Sequence, residues 1–396
     1  MEKINSFNEN VNIENKRILL RSDFNVPILN GIIQDTTRID LSTAFIQNLL
    51  NRKAKLFIIS HLGRPINVKD NKFSLKPVFE YLKEKINNKI YFHSGKITKK
   101  IQEEISFLKN SEMIFFENIR FNEGEIKDDN DFAKCLSLIG EIYINDAFSC
   151  SHRKQASIHK IAKYIKHSYA GPLFMKEIIS INMVLSNKKN PTTCIVGGSK
   201  ISTKLGVITS LIKKVDNLVI VGAMANNFIK FNGNKVGKSL VESGSEKMIK
   251  EIYNNANKYN CKIIIPSDFA VSELTNGEAS IKNLNNITDK EIILDIGPQT
   301  VKKINGIIDK SKTVLWNGPA GYFENKNFSK GTISIAKKIS SNTKINSLIS
   351  IIGGGDTISA IKNNSLEENF THLSTAGGAF LEYIEGKNLP GIEVLK

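Results

Sequence analysis

Arginine runs out early in this 396-residue chain. Seven arginines, Arg17, Arg21, Arg38, Arg52, Arg64, Arg120 and Arg153, all lie in the first 153 residues, and the rest of the 55 basic residues are lysine. Cysteine is also scarce. Cys135, Cys150, Cys194 and Cys261 are scattered with no C-x-x-C pair, which argues against a disulfide framework or a zinc site and points to a reducing cytoplasm. No apolar run approaches the roughly 20 residues of a membrane helix, and the opening "MEKINSFNEN" lacks the apolar core of a signal peptide. Several catalytic signatures are missing too: G-x-G-x-x-G, H-E-x-x-H, G-x-S-x-G and the protein-kinase set. The formal charge of +16 comes without a dense basic block or a basic amphipathic helix. It is read as a lysine-rich solvated surface, with no specific nucleic-acid or membrane partner.

What is present is a rhythm. "RILLRSDFN", "AKLFIISHLGR", "KIYFHSG", "EMIFFENIR" and "EIYINDAFS" alternate with longer polar stretches of helical character. The second half repeats this with "TTCIVGGSK", "NLVIVGAMA", "CKIIIPSD", "EIILDIGP", "TVLWNGPAG", "SLISIIGGGD" and "THLSTAGG". Buried strands alternating with helices predict two α/β domains with parallel, doubly wound sheets. "YAGPLFMKEIISINMVL", residues 169–185, is a candidate connecting helix entered through Gly171-Pro172. Ligands of such sheets sit beyond the carboxyl ends of the strands. Those ends carry Arg, His, Asp and Asn in the first half and glycine-rich turns in the second.

The two sets suit different ligands. In "RSDFNVP", strand alternation would put Arg21, Asp23 and Asn25 on one side and Phe24 on the other; a salt bridge satisfied within the protein is the plain alternative. "SHLGRP" adds His61 and Arg64, "NIRFNEGE" adds Arg120, and "NDAFSCSHRKQAS" adds His152 and Arg153. Five arginines at strand ends or loops of one domain suit a small polyanion. In "IIGGGDTISAI", Asp356 and Thr357 follow three glycines; they are helix caps or part of a phosphate nest, and the glycine run favours the nest. An aspartate there is a natural Mg²⁺ ligand. Glu324 in "WNGPAGYFEN" either accepts from a ribose or faces solvent. "CIVGGSKISTK" has P-loop ingredients in the wrong order. With a helix starting near Ser202, Lys200 and Lys204 would crowd the dipole's positive end, which makes sense if a polyanion lies between them.

The motifs "RSDFNVP", "DTTRI", "SHLGRP", "FSLKPV", "ENIRFNEGE", "NDAF", "GGSKISTK", "DIGP", "LWNGPAGYFE", "SKGT", "IIGGGDT", "STAGGAFLEY" and "GKNLPG" run in the order found in the phosphoglycerate kinase family. The chain resembles that family over essentially its whole length. The resemblance implies two Rossmann-like domains joined by a long helix and a hinge: 1–170 for 3-phosphoglycerate, 171–186 as the connecting helix, 187–376 for Mg-ADP or Mg-ATP, and 377–396 returning to the first domain. It implies a monomer. It also implies Asp23, Asn25, Arg38, His61, Arg64, Arg120 and Arg153 as the substrate set, and Arg38, Lys200 and Gly377 as the catalytic groups. Gly198, Lys204, Glu324, Gly354, Gly355, Asp356 and Thr357 are the implied nucleotide set, with Asp356 toward the metal. Some positions depart from the commoner pattern. Ser199 and Thr203 replace Ala and Asp. Val221, Ala223 and Ala376 each replace a glycine. Ser149-Cys150-Ser151 replaces Gly-Thr-Ala.

Overall fold

The computed structural model describes residues 3–66, 70–185 and 190–396. Its contacts divide the chain into two compact units, Met1–Ile178 with Asn388–Lys396, and Ile179–Lys387.

The first unit is built on a six-stranded sheet in the order Ile90–His93, Met113–Phe116, Lys55–Ile59, Arg17–Arg21, Ile142–Asn145, His167–Ala170. Every pairing is parallel, with Ile18 level with Leu56 on one side and Ile142 on the other. The apolar runs contain residues buried on both faces, and alternation splits them between two cores. Ile18, Leu20, Leu56 and Ile58 join one cluster, and Leu19, Phe57 and Ile59 join the other. All five expected runs of the first half enter this sheet. The sixth strand, His167–Ala170, is too polar to stand out as a run.

The second unit carries a parallel sheet in the order Lys262–Ile264, Asn217–Ile220, Thr192–Val196, Thr313–Asn317, Ile349–Gly353, His372–Leu373. Numbered along the chain this is 3-2-1-4-5-6, the dinucleotide-fold order, with its switch point between Thr192–Val196 and Thr313–Asn317. One run departs from expectation. "EIILDIGP" does not join the parallel sheet; Ile292–Ile296 pairs antiparallel with Asp268–Ser272, which also pairs with Ser280–Asn283. A buried apolar run does not reveal its partner's direction.

The connecting helix runs Pro172–Leu185, with Pro172 in its first turn. Ser186, placed in it from sequence, lies outside the described residues. The division of contacts falls inside this helix, at 178/179, and again at 387/388. Helix Gly378–Glu385 therefore groups with the second unit, where the Ser210 hydroxyl donates to Ile384 O at 2.7 Å. The segment grouped with the first unit begins at residue 388, eleven residues later than the sequence suggested. There Asn5 N donates to Leu395 O at 2.7 Å and Gly391 N to Ser151 O at 2.9 Å.

Candidate functional site

In the first unit the carboxyl ends of Arg17–Arg21, Lys55–Ile59 and Ile142–Asn145 converge. The strand stops at Arg21, so the expected alternation through Asn25 is not observed. Arg21 is fully buried, Asp23 is partly buried and Asn25 is exposed, while Phe24 enters the core. Arg21 donates to Ser22 O at 2.6 Å, to Ser157 Oγ at 3.1 Å and, through NH2, to His61 Nδ1 at 3.3 Å. Burial first, then the charges of Arg21, Arg120, Arg153 and Arg38, hold His61 well below the ordinary 6.5. Its imidazole is therefore neutral, and with Nδ1 accepting, the proton sits on Nε2.

Arg120 follows Met113–Phe116 in a 3₁₀ turn capped by Asn118, whose side chain accepts from Arg120 N. NH1 donates to Gly63 O. Nε and NH2 are buried without a hydrogen-bond partner. Burial, with repulsion from Arg153 and Arg21, pushes this guanidinium down to about 10. Two unsatisfied charged donors in such a place call for an anion.

Arg38 sits in the first turn of helix Thr37–Asn51. Its NH1 pairs with Asp23 Oδ2 at 2.6 Å and also donates to Asn25 O at 3.1 Å. The internal salt bridge anticipated as the plain alternative is thus present. Asn25 Oδ1 accepts from Gly63 N at 2.8 Å. Arg153 Nε donates to His152 Nε2 at 3.2 Å, and Arg64 stands exposed. The structure brings Arg21, Arg38, Arg120 and Arg153 around His61. Arg17 and Arg52 serve elsewhere, on Glu141 and on the carbonyls of Glu9 and Val11.

Sequence reasoning missed the counter-charge beneath this cluster. Glu125 is fully buried and accepts from Ser157 Oγ at 2.7 Å and Ser157 N at 2.9 Å. Ser149, which donates to Asp23 Oδ2 at 2.5 Å, was missed as well. No spacing rule marks either serine. The acid in "NEGE" was visible but reads as surface charge.

In the second unit the switch point is lined by Gly197, Gly198 and the turn 317–320. A Cβ on Gly197 would fall against the backbone oxygens of Gly318 and Pro319. This glycine lets two strand-end turns close on each other. Gly198 takes φ +117°, where only glycine is comfortable. The helix begins at Leu205, later than Ser202, with Lys204 at its N-cap. Lys204 Nζ reaches back to Gly197 O at 2.7 Å, Asn317 Oδ1 at 2.7 Å and Asn317 O at 3.3 Å. Burial lowers it to about 8, against the pull of the Asp356 carboxylate. Lys200 is exposed one turn earlier, and Thr203 Oγ1 donates to Lys200 O at 3.0 Å.

Helix Gly355–Lys362 starts after Gly354, which has φ +93°. Gly354 is its N-cap, so the capping alternative for Asp356 and Thr357 does not hold. Thr357 is buried and its hydroxyl accepts from Gly318 N at 2.8 Å, tying this helix to the switch-point turn. Asp356 is exposed in the first turn. Glu324 is exposed. Gly377, φ +56°, caps helix Gly378–Glu385. Ala376 beside it is buried and absent from the positive-φ residues, so it carries no left-handed strain. Val221 is core and Ala223 opens a helix, while Gly222 between them keeps φ +67°.

Among the described residues no group of three or more His, Cys, Asp or Glu side chains stands ready to hold a metal ion. A single exposed carboxylate at a helix N-terminus fits Mg²⁺, which keeps most of its shell from phosphates and water. No helix of the described residues is long and apolar enough to cross a membrane.

A family model described as Phosphoglycerate kinase matches residues 8–387. The phosphoglycerate kinase of Wolbachia sp. subsp. Drosophila simulans (strain wRi) is 45% identical over 390 residues, covering 98% of both chains. That of Finegoldia magna is 43% identical over 391 residues, again covering 98% of both. The solved structure of phosphoglycerate kinase from Coxiella burnetii superposes with a TM-score of 0.89 at 36% identity over 99% of each chain. The enzyme from Pyrococcus horikoshii OT3 gives 0.82 at 27% identity, covering 98% of this chain and 97% of its own.

Proposed function

This chain belongs to the phosphoglycerate kinase family, and on that premise we propose that it moves a phosphoryl group reversibly between 1,3-bisphosphoglycerate and Mg-ADP, giving 3-phosphoglycerate and Mg-ATP. The observation that carries the reading is the buried pair of unpartnered donors on Arg120, set among three further arginines and a neutral His61. Such a site takes a small polyanion. Asp23, Asn25, Arg38, His61, Arg64, Arg120 and Arg153 hold 3-phosphoglycerate in this proposal, with His61 donating from Nε2.

The nucleotide belongs at the second unit's switch point. Gly198, Gly354 and Gly355 let backbone approach the phosphates. Lys204 holds a phosphate that stays on the nucleotide, and Thr357 contributes its backbone N–H, since its hydroxyl is engaged by Gly318. Glu324 takes the ribose. Asp356 would hold Mg²⁺ on the protein side, and the ion, bound with the nucleotide, would supply positive charge at the phosphate oxygens.

Both nucleophiles, a carboxylate in one direction and a phosphate oxygen in the other, are already ionised near neutral pH. No general base is required. The transfer needs alignment and cationic donors around the moving group, which Arg38, Lys200 and the backbone at Gly377 provide. The two ligand sets belong to different units, so binding of both ligands drives hinge closure. The proposal extends to a cytoplasmic monomer, on the family pattern and on four free cysteines.

A coupled assay tests the reading: 3-phosphoglycerate with Mg-ATP, acyl-phosphate formation followed through reductive consumption of NADH. Turnover is expected. No turnover at saturating substrates would overturn it.

A further inference from the structure

One carboxylate oxygen in the first unit is claimed twice. Asp23 Oδ2 receives Arg38 NH1 at 2.6 Å and the Ser149 hydroxyl at 2.5 Å. The other oxygen, Oδ1, accepts from Asn25 N at 3.2 Å. The Asp23 side chain is 11% exposed, so water does little for its charge. While Arg38 stays on Asp23 its positive charge is largely neutralised. For Arg38 to act on a moving phosphoryl group it must give up part or all of that pair. The carboxylate left behind then depends on its other donors, the bound substrate of the reading above among them, because an unpaired, nearly buried carboxylate is costly.

We propose that the Ser149 hydroxyl is a positioning group for phosphoryl transfer, holding the Asp23 carboxylate so that Arg38 is free to leave it. The inference rests on the reading of Arg38 given above. A hydroxyl-to-carboxylate bond of this length is of the strong, charge-assisted kind. It donates from the strand-end turn after Ile142–Asn145, a different element from the helix Thr37–Asn51 that carries Arg38. The turn itself is fixed by backbone: Cys150 N donates to Ala147 O at 3.1 Å, and Ser151 N to Phe148 O at 2.9 Å. The Cys150 thiol lies 3.6 Å from Ser149 Oγ. Since the serine proton is committed to Asp23, the thiol is the donor of that pair. Its burial keeps it protonated. The result is a directed chain, Cys150 to Ser149 to Asp23, at a position where the commoner pattern has glycine and offers no side-chain donor.

Three variants and a cycle test this. Ser149→Ala is expected to lower kcat about tenfold, the size of losing one strong hydrogen bond to a charge, with the KM for Mg-ATP unchanged. Ser149→Thr, which keeps the hydroxyl, should retain most of the wild-type kcat. In an Asp23→Asn background no carboxylate detains Arg38, so adding Ser149→Ala should change kcat less than about twofold. A wild-type or raised kcat in Ser149→Ala overturns the proposal. So does an undiminished tenfold loss in the Asp23→Asn background. An inactive wild-type protein would instead overturn the kinase reading, which keeps the two failures distinct.

Discussion

Arg120 shows how a single side chain can announce a ligand. Two of its nitrogens are buried without partners while the third is spent on Gly63 O. Replacing it by alanine removes donors that only the substrate can use. The expected result is a KM for 3-phosphoglycerate raised at least tenfold with a much smaller change in the KM for Mg-ATP, read from initial rates. Arg38→Ala and Lys200→Ala are expected to lower kcat about 100-fold or more, since loss of one transition-state donor costs roughly 3 kcal/mol. Near-wild-type turnover in either purified variant would remove that residue from the catalytic set. The charged residues were legible because Arg, His and Asp at strand ends are unusual in a chain that otherwise spends lysine. Ser149 and Ser157 were not, because a serine's meaning depends on what faces it from a distant part of the chain, 126 residues away for Asp23 and 32 for Glu125.

At the scale of the element, glycine separates what pattern reading can find from what it cannot. Gly197 reads in sequence as one glycine of a P-loop pattern in the wrong order, yet its missing Cβ is what admits the Gly318-Pro319 turn. Gly197→Ala should destabilise the second unit by about 1–3 kcal/mol, because the neighbours are backbone and cannot step aside; a melt by circular dichroism measures it, and an unchanged midpoint would refute the packing argument. The strands were visible as runs of buried residues. Their order was not, so the switch point between Thr192–Val196 and Thr313–Asn317 emerges only in three dimensions. The start of the lysine-bearing helix was misjudged by three residues for a related reason: residues 201–204 form turns before helical bonding begins at Leu205.

Across the whole molecule, each unit contains one buried aspartate with a strong pH signature. Asp146 accepts from Phe174 N at 3.0 Å at the start of the connecting helix, and burial raises it from 3.8 to about 7. Asp295 accepts from Ile296 N and Gly331 N, both at 2.8 Å, and burial raises it to about 7 as well. With the folded value above the unfolded one, the folded state holds more protons between these limits. Their contribution to stability is full below the unfolded value and is lost as pH rises through about 7, on the order of 4 kcal/mol for each group. Denaturant melts of Asp146→Asn and Asp295→Asn should show a shallower decline from pH 5 to 8 than the wild type; equal slopes would contradict the assignment. Hinge closure predicts a smaller radius of gyration by X-ray scattering when both substrates are present than with either alone. An unchanged radius would count against closure.

The bonds from Asn5 N to Leu395 O and from Gly391 N to Ser151 O have a consequence for biosynthesis. Residues 1–178 and 388–396 meet in the same unit, and the whole of the other unit is translated between them. A nascent chain can bury the sheet around Arg17–Arg21 early, but Asn5 and Ser151 wait for Leu395 and Gly391 until the other unit has been made. The second unit has no such wait, since Ile179–Lys387 is continuous and emerges complete. The unit begun before the other is therefore finished after it.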